Sequence, residues 1–316
     1  MKPLNIALWS VGEHANRNII PAIEELKDVE LVGAYTRSHE VRKNLRNLHF
    51  FSNVEEMLSC DSVEAIYISS PNSLHSEQIK LALKYGKNVL VEKTAFTCRS
   101  DAVDTISEAN RAGLIVMEAF MYRFHNQFKE LTKLISNEDY GKARFATVDF
   151  GFPHLLDTNI RYNKSLGGGA LNDAGAYTLS MLNNLFSTCS LRHVVSGIGN
   201  EAKYGVDTTG YSIFKVDNLV INCRWAFGLS YRNQLDIWCD SGIIKVERPF
   251  SKPASYDSSI EVYQNGKVVN VIKSGQDNHF KNMIIYFMNE IRIGSLKEND
   301  KTLKQRILLD EVECKI

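Results

Sequence analysis

The fold class is decided by Ala65-Ile66-Tyr67-Ile68 and Val89-Leu90-Val91, two short runs made almost only of apolar residues. Strands that are covered on both faces have this composition, because neither face of the sheet meets water. Helical stretches separate these runs from other β-rich runs at Leu4 to Trp9, Val29 to Tyr35 and Leu114 to Met117. Strands that alternate with helices form parallel sheets joined by crossover helices. The sequence therefore predicts an α/β fold whose N-terminal part is a doubly wound parallel sheet.

The pattern changes after about residue 120, where strands follow one another with short turns between them. Arg144 to Phe152 is the first of several β-rich segments, and Asp217-Asn218 and Asn265-Gly266 are turns between later ones. Such a succession is typical of an antiparallel sheet. A length of 316 residues also favours two domains. We therefore expect a parallel-sheet domain in residues 1–120 and an α+β domain in residues 121–316.

The composition is that of a soluble, folded protein, with 44% hydrophobic and 23% charged residues. Lys plus Arg and Asp plus Glu each total 37, so the net charge is zero and nucleic acid is not an expected partner. The chain does not start with the long apolar stretch of a secretion signal or membrane span, so we expect a cytoplasmic protein without membrane contact. No Cys, His, Asp or Glu spacing resembles a metal site, and no metal is expected.

The segment after the first strand resembles a dinucleotide-binding turn. Ser10-Val11-Gly12-Glu13-His14-Ala15 occupies the place of G-x-G-x-x-A, with serine instead of the first glycine. Glycines in that motif let the backbone turn tightly and approach a pyrophosphate at the helix N-terminus. Taken alone, the segment is equally consistent with an ordinary strand-to-helix turn. It makes Ser10, Gly12, Glu13 and His14 candidate cofactor contacts.

The end of the second strand carries no acidic residue. A domain that binds NAD usually places Asp or Glu there to bind both ribose hydroxyls, whereas this chain has Thr36-Arg37-Ser38. One guanidinium and two hydroxyls suit a ribose 2′-phosphate through charge-assisted hydrogen bonds. Thr36, Arg37 and Ser38 therefore predict NADP (NADPH) as the cofactor and make NAD the less favoured one. The alternative is a solvated surface arginine.

Two further segments follow strands of the parallel sheet, Ser69 to His75 and Val91 to Thr94. Open α/β sheets bind ligands at the carboxyl ends of their strands, so we expect both segments at the cofactor site. For His75 we favour a structural or cofactor-side role over catalysis, since an imidazole can cap a helix or contact a cofactor. The candidate cofactor contacts in these segments are Ser69, Ser70, Pro71, Asn72, His75, Glu92 and Lys93.

Four segments resemble one known family, that of glucose-fructose oxidoreductase, inositol dehydrogenase and rhizopine catabolism proteins (Gfo/Idh/MocA). Asp61 to His75 resembles its D-x-V and P-N-x-x-H segment, and Glu92-Lys93 resembles its E-K-P motif. Glu118 to His125 is similar to the dimeric dihydrodiol dehydrogenase branch, as is Gly167 to Tyr177, which resembles G-G-G-A-L-x-D-x-G-x-Y. These segments follow one another in the family's order.

The resemblance implies an NAD(P)-binding Rossmann domain followed by an α+β domain with a large, mostly antiparallel open sheet. That second domain would bind substrate and form a homodimer or higher homo-oligomer. The implied activity is NADP-dependent hydride transfer between the nicotinamide and a hydroxyl or keto carbon of a sugar, cyclic polyol, dihydrodiol or sugar-linked substrate. The alternative is a non-catalytic NADP-binding regulator or sensor of the same fold, because the resemblance extends to such proteins.

Hydride transfer also needs a group that gives or takes the hydroxyl proton, and Lys93 and Tyr177 are the candidates. Asp173 lies four residues before Tyr177 on a predicted helix, so the two side chains are expected to share a face. These three are the candidate catalytic residues. Further candidate substrate contacts are Arg123, Arg161 and Tyr162.

Thr94 departs from the family pattern, which has proline after the lysine. Proline adopts a cis peptide bond cheaply, whereas a threonine at this position disfavours it by about 2.5 to 4 kcal/mol. We therefore expect Lys93 to be presented differently here. Ser10 and Asn126 are two further departures, the latter replacing a proline after His125.

Replacing Arg37 with alanine tests the cofactor prediction. Loss of a charge-assisted hydrogen bond to a phosphate costs about 1.5 to 3 kcal/mol, or roughly ten- to a hundredfold in affinity. We expect Arg37→Ala to raise the NADP dissociation constant by that factor in an equilibrium titration, with little change for NAD. An unchanged NADP dissociation constant would refute the prediction.

Overall fold

The computed structural model describes residues 2–45, 47–186 and 191–314. The chain forms two compact units, each built around its own sheet. The first unit comprises Met1–Ala119 and Phe280–Arg306, and the second comprises Phe120–His279 and Ile307–Ile316. The first unit is therefore made from two separate stretches of the chain.

The described strands are, in chain order, β1 Leu4–Trp9, β2 Val29–Tyr35, β3 Ala65–Ile68, β4 Asn88–Val91, β5 Val116–Glu118, β6 Ala143–Phe152, β7 Arg192–Asn200, β8 Asp207–Val216, β9 Leu219–Phe227, β10 Arg232–Cys239, β11 Ile243–Glu247, β12 Ser258–Gln264 and β13 Lys267–Gly275. The α-helices are α1 Ile20–Glu24, α2 His39–Asn44, α3 Val54–Ser59, α4 Asn72–Lys84, α5 Arg99–Ala112, α6 Asn126–Ser136, α7 Ala176–Leu185, α8 His279–Ile293 and α9 Lys297–Glu313. Two π-helical segments, Ala15–Ile19 and Leu171–Gly175, lead directly into α1 and α7. None of the helices described here combines the length and the apolar composition needed to cross a membrane.

Both predicted apolar runs are strands of the first unit's sheet, which is parallel and has the order β2-β1-β3-β4-β5. β3 lies between two strands, and its Ile66 pairs with Ala7 on one side and Val89 on the other. Every residue of β3 is buried, as its continuous apolar run predicts. Burying one such isoleucine or valine side chain contributes about 1.5 to 3 kcal/mol. The predicted α/β class and parallel sheet are confirmed.

The helices near the end of the chain complete the first unit by covering its edge strand β5. Asn299 Oδ1 accepts a hydrogen bond from Val116 N at 2.7 Å, and Thr302 Oγ1 donates one to Val116 O at 3.0 Å. The Asn299 amide also donates to Leu114 O at 2.9 Å. These side chains take the place of a further strand, because buried backbone groups must be paired. Residues 280–306 thus lie in the first unit, whereas the expected division assigned them to the second domain.

The second unit contains an eight-stranded sheet in the order β13-β12-β11-β10-β6-β9-β8-β7. β6 and β9 run parallel, and the other neighbouring strands run antiparallel. The predicted large, mostly antiparallel sheet is confirmed. Its side chains alternate between two faces, so that Val148 and Phe150 of β6 are buried while Phe145 of the same strand is exposed. The face that carries Phe145 is called the open face.

Several chain segments meet at one end of this second sheet. Phe152 and Phe227, the last residues of β6 and β9, lie side by side. The start of β10 lies next to them, because its Arg232 pairs with Gly151. The last residue of β11, Glu247, lies opposite Gln234 of β10. The segments that follow β6, β9 and β11 therefore leave the sheet at the same end of its strands. This end is called the upper end.

We expect Asn299→Ala to loosen β5. The substitution leaves the Val116 N–H buried without its acceptor, which costs about 1 to 3 kcal/mol. Hydrogen exchange should accelerate at the β5 amides, and the urea midpoint should fall. The control is Asn44→Ala, which changes an exposed asparagine in the same unit and should alter stability by no more than about 0.5 kcal/mol. Equal β5 protection in the two variants would contradict the role assigned to Asn299.

Candidate active site

The turn after β1 has the geometry that the missing glycine normally provides. Ser10 has a φ of 70°, in the left-handed region that glycine enters most easily. Its N–H donates to Tyr35 O at 2.8 Å, and its carbonyl accepts from Ser69 Oγ at 3.0 Å. The turn is thus tied to the ends of both neighbouring strands, which holds serine in this conformation.

The start of the following helix is open. A Cβ atom added to Gly12 would meet nothing within 4 Å, and Glu13 and His14 are exposed. The His14 ring lies beside the end of β4, with Nε2 at 3.3 Å from Glu92 Oε1. Free space over a glycine at a helix start is what a pyrophosphate requires.

At the end of β2, the three predicted contacts differ in exposure. Thr36 is buried and its Oγ1 accepts from Ser38 N at 3.3 Å, while Ser38 Oγ caps α2 by accepting from Val41 N at 3.3 Å. Arg37 is exposed. Sequence reasoning missed Arg42, whose Nε donates to Thr36 O at 2.9 Å.

His75 joins the two segments that follow β3 and β4. The ring is fully buried, and its Nδ1 and Nε2 lie 2.8 Å from the carbonyl oxygens of Thr94 and Ser70. Burial outweighs the two carbonyl acceptors and lowers the pKa of His75, which favours a neutral ring with one N–H. The Lys93–Thr94 peptide bond is cis although residue 94 is threonine, contrary to the expectation from the sequence.

Glu92 is held ionised beside Lys93. Burial raises its pKa, but the nearby His14 charge, hydrogen bonds from His14 and Tyr67, and the Lys93 charge outweigh that effect and lower the pKa to about 2. Tyr67 donates its hydroxyl to Glu92 Oε1. Lys93 itself is half-buried. Of the neighbouring candidates, Pro71 immediately precedes α4, and Asn72 is its first residue.

In the second unit, the glycine run before Tyr177 is required by close contacts with a backbone and a side-chain oxygen. A Cβ on Gly168 would lie 2.5 Å from Arg161 O, and one on Gly169 would lie 2.3 Å from Asp207 Oδ1. Gly169 also has a φ of 117° and donates its N–H to Arg161 O at 2.9 Å. The run therefore holds the Arg161 segment against the start of the helix that carries Asp173 and Tyr177.

Asp173 and Arg161 form an ion pair through Asp173 Oδ2 and Arg161 Nε. The Asp173 carboxylate is buried, while Arg161 is half-buried. Asp173 lies in the π-helical turn Leu171–Gly175, and Tyr177 lies in the first turn of α7. Such wide turns inside helices often occur at functional sites.

Tyr177 lies in an aromatic cluster with Phe120, Phe150 and Phe250, whose ring centroids are 5.4, 5.1 and 5.5 Å from its own. Its side chain is 7% exposed, and its hydroxyl donates to Met121 Sδ at 3.4 Å. Edge-to-face and tilted ring pairs of this kind stabilise a fixed ring orientation. The cluster therefore fixes where the Tyr177 hydroxyl can point.

The other predicted substrate contacts, Tyr162 and Arg123, lie against aromatic rings of the second unit. The Tyr162 ring stacks on Tyr204 at a centroid distance of 4.1 Å, and its hydroxyl accepts from Leu155 N at 3.1 Å. The Arg123 guanidinium lies over the Phe124 ring at 5.1 Å. Across the described ranges, no three His, Cys, Asp or Glu side chains are grouped so that they could hold a metal ion.

The candidate residues thus fall into two groups, one in each unit. The first group lies at the carboxyl ends of the first sheet's strands, where Ser69 bonds Ser10, and His75 bonds the carbonyl oxygens of Ser70 and of Thr94, the residue after Lys93. Arg161 and Asp173 are paired in the second unit, near the helix turn that carries Tyr177.

Comparison with known proteins gives one family for both parts of the chain. Residues 4–120 match the oxidoreductase family with an NAD-binding Rossmann fold, and residues 128–245 match the GFO/IDH/MocA C-terminal domain. A dTDP-3,4-didehydro-2,6-dideoxy-alpha-D-glucose 3-reductase from Saccharopolyspora spinosa is 27% identical over 299 residues, which are 93% of this chain and 89% of that protein. The scyllo-inositol 2-dehydrogenase (NADP(+)) IolU from Bacillus subtilis is 31% identical over 205 residues, 61% of each protein.

A solved structure agrees in fold. The crystal structure of KijD10, a 3-ketoreductase from Actinomadura kijaniata in complex with NADP and TDP-benzene, matches with a TM-score of 0.93 at 24% identity. The match covers 99% of this chain and 98% of that one. Since both parts of the sequence match the same family in the expected order, the chain belongs to the GFO/IDH/MocA family of oxidoreductases.

Proposed function

We propose that this protein transfers hydride between NADP and a hydroxyl or keto carbon of a sugar, cyclic polyol, dihydrodiol or sugar-linked substrate. The observation that carries the proposal is the retention of Lys93 and Tyr177 at the motif positions of an oxidoreductase family that matches both parts of the chain. Relatives that are named for NADP and for sugar-like substrates support it.

The first unit fits a dinucleotide at two places. The open space over Gly12 suits the pyrophosphate, and the exposed Arg37 suits a ribose 2′-phosphate. Arg42 lies against Thr36 and adds a second guanidinium near that position. When bound, NADPH supplies the hydride, and the protein supplies orientation and proton transfer.

We assign proton transfer to Tyr177 and Lys93. A free tyrosine has a pKa of about 10, so it needs a nearby cation to act as a base near neutral pH. The family resemblance implies that the Lys93 ammonium supplies that charge. Arg161 offsets the negative charge of Asp173, so Asp173 opposes a Tyr177 phenolate less than an unpaired carboxylate would. We therefore assign Asp173 and Arg161 to substrate orientation.

The second candidate function is a non-catalytic NADP-binding sensor. It is favoured by the packing of Tyr177, since a tyrosine among three phenylalanine rings with its hydroxyl on a thioether also suits a purely structural role. NADPH oxidation with a panel of keto-sugars separates the two functions. Steady turnover supports the enzyme, and binding without turnover supports the sensor.

We expect Tyr177→Phe to abolish proton transfer while it keeps the ring packing. The maximal rate should fall by about two to four powers of ten, with NADPH binding nearly intact. Tyr122→Phe is the matched control, because it removes a hydroxyl from the same aromatic cluster, where Tyr122 Oη lies 3.0 Å from Ser180 Oγ. A rate for Tyr177→Phe within about threefold of the control would assign Tyr177 to the core.

Lys93→Met in the same assay completes the test, and its rate should fall at least as far. If both groups act on one substrate oxygen, the double variant should lose much less than the product of the two single losses. Fully multiplicative losses would mean that Lys93 and Tyr177 act independently.

We also propose that the protein forms a homodimer or higher homo-oligomer through the open face of the second sheet. Phe145 and Trp238, which face each other on β6 and β10, are 54% and 60% exposed, with ring centroids 5.9 Å apart. Exposed aromatic pairs on a sheet face are typical of association surfaces. An isologous contact would bury both pairs at once.

We expect sedimentation at micromolar concentration to give at least the dimer mass, and Trp238→Arg to shift the protein toward the monomer. Val103→Arg is the control, since Val103 is also exposed, at 43%, but lies in the first unit. A wild-type protein of monomer mass would exclude the proposal.

A further inference from the structure

Arg248 stands out among the charged residues at the upper end of the second sheet. Its guanidinium carbon lies over two aromatic rings, 5.5 Å from the Tyr231 centroid and 5.2 Å from the Tyr256 centroid. Two cation–π contacts stabilise the cation without occupying its N–H donors. Within the described ranges, no carboxylate forms an ion pair with Arg248 and no acceptor takes a hydrogen bond from its side chain. The N–H groups of the Arg248 guanidinium are therefore held in position by its neighbours but donate no hydrogen bond within the described part of the protein.

The backbone of Arg248 is held in an uncommon conformation. Its φ is 47°, a region that non-glycine residues seldom enter. The conformation is fixed by the Arg248 N–H, which donates to Asn233 O at 2.8 Å. The buried Asn233 side chain also donates to Tyr231 Oη at 3.1 Å and accepts from Phe250 N at 3.2 Å. One asparagine thus positions the arginine, one of its flanking rings and Phe250.

Phe250 connects this arrangement to the candidate catalytic tyrosine. Its ring lies 5.5 Å from that of Tyr177, and it is only two residues after Arg248. Lys252, the next cation along the segment, is buried and donates to Pro249 O at 3.2 Å. Burial lowers the pKa of Lys252 to about 7, so it is a poor substitute for a permanent positive charge. Arg248 is therefore the permanent cation of this segment, and it lies two residues before the ring that contacts Tyr177.

We propose that Arg248 binds a phosphate group of the substrate, so that the substrate is a nucleotide-linked keto-sugar and not a neutral one. The inference rests on the proposed function and names its substrate class. Arginine binds phosphate through two parallel N–H bonds, which a neutral sugar cannot accept with comparable strength. The dTDP-linked substrate in the name of the Saccharopolyspora spinosa relative is consistent with such a group. The exposed Tyr231 ring adds an aromatic surface beside the cation.

Direct binding tests the inference without reliance on turnover. We expect thymidine diphosphate to bind the wild-type protein in calorimetry, and Arg248→Met to weaken that binding about ten- to a hundredfold. Arg248→Gly should weaken it equally while it keeps the left-handed backbone, so this variant serves if the methionine variant does not fold. Arg248→Lys should be intermediate. Arg144→Met is the control for the loss of one exposed positive charge, because Arg144 pairs with Asp240 at the opposite end of the sheet.

Three results would overturn the inference. The first is a wild-type protein that binds no thymidine diphosphate, whether or not it turns over neutral keto-sugars. The second is equal binding by Arg248→Met, Arg248→Gly and the wild type. The third concerns glucuronate, a sugar carboxylate. It is a result in which loss of Arg248 weakens the binding of glucuronate but not the binding of thymidine diphosphate. Turnover of neutral sugars in the first case would leave the proposed oxidoreductase function standing, so the two failures are distinguishable.

Discussion

In the first unit, the segments that form the candidate cofactor site are positioned by the hydrogen bonds of one buried imidazole. His75 contacts the carbonyl oxygens of Ser70 and Thr94, and these belong to the segments that leave β3 and β4. A neutral imidazole has one N–H to donate, and a buried carbonyl that loses its donor costs about 1 to 3 kcal/mol, so the segment bonded to that N–H cannot move away from the ring cheaply. Lys93 directly precedes Thr94, and its main chain is consequently fixed from one side by a residue that need not touch any substrate.

In the second unit, the candidate catalytic residue Tyr177 is positioned by apolar packing. Rings surround Tyr177 on several sides, and the glycine run at Gly168 and Gly169 brings the Arg161 backbone against the helix start. Interiors packed in this way transmit small changes of shape. The two units therefore hold their reactive groups by different means, hydrogen bonds in one and ring packing in the other.

The parts of the fold that the sequence predicts are those encoded by local composition. Continuous apolar runs such as β3 indicate burial on both faces, and short turns indicate antiparallel strands. Contacts between distant residues carry no local signal. The pairing of Asn299 with Val116 could not be found in this way, because an asparagine in a polar helix looks solvent-exposed until its partner is known.

The same limit applied to the site. The motifs identified Lys93, Asp173 and Tyr177 as candidates, but not the partner of Asp173, since Arg161 reaches it only through the folded glycine run. Arg248 gave no signal because its neighbouring rings, Tyr231 and Tyr256, lie far from it in sequence or across a turn.

The return of Phe280–Arg306 to the first unit also has a consequence for biosynthesis. During translation β5 stays uncovered until the chain has reached Asn299 and Thr302, so the N-terminal unit cannot finish folding ahead of the other. An exposed strand edge is a site for wrong pairing, and the nascent chain must pass through that stage each time the protein is made.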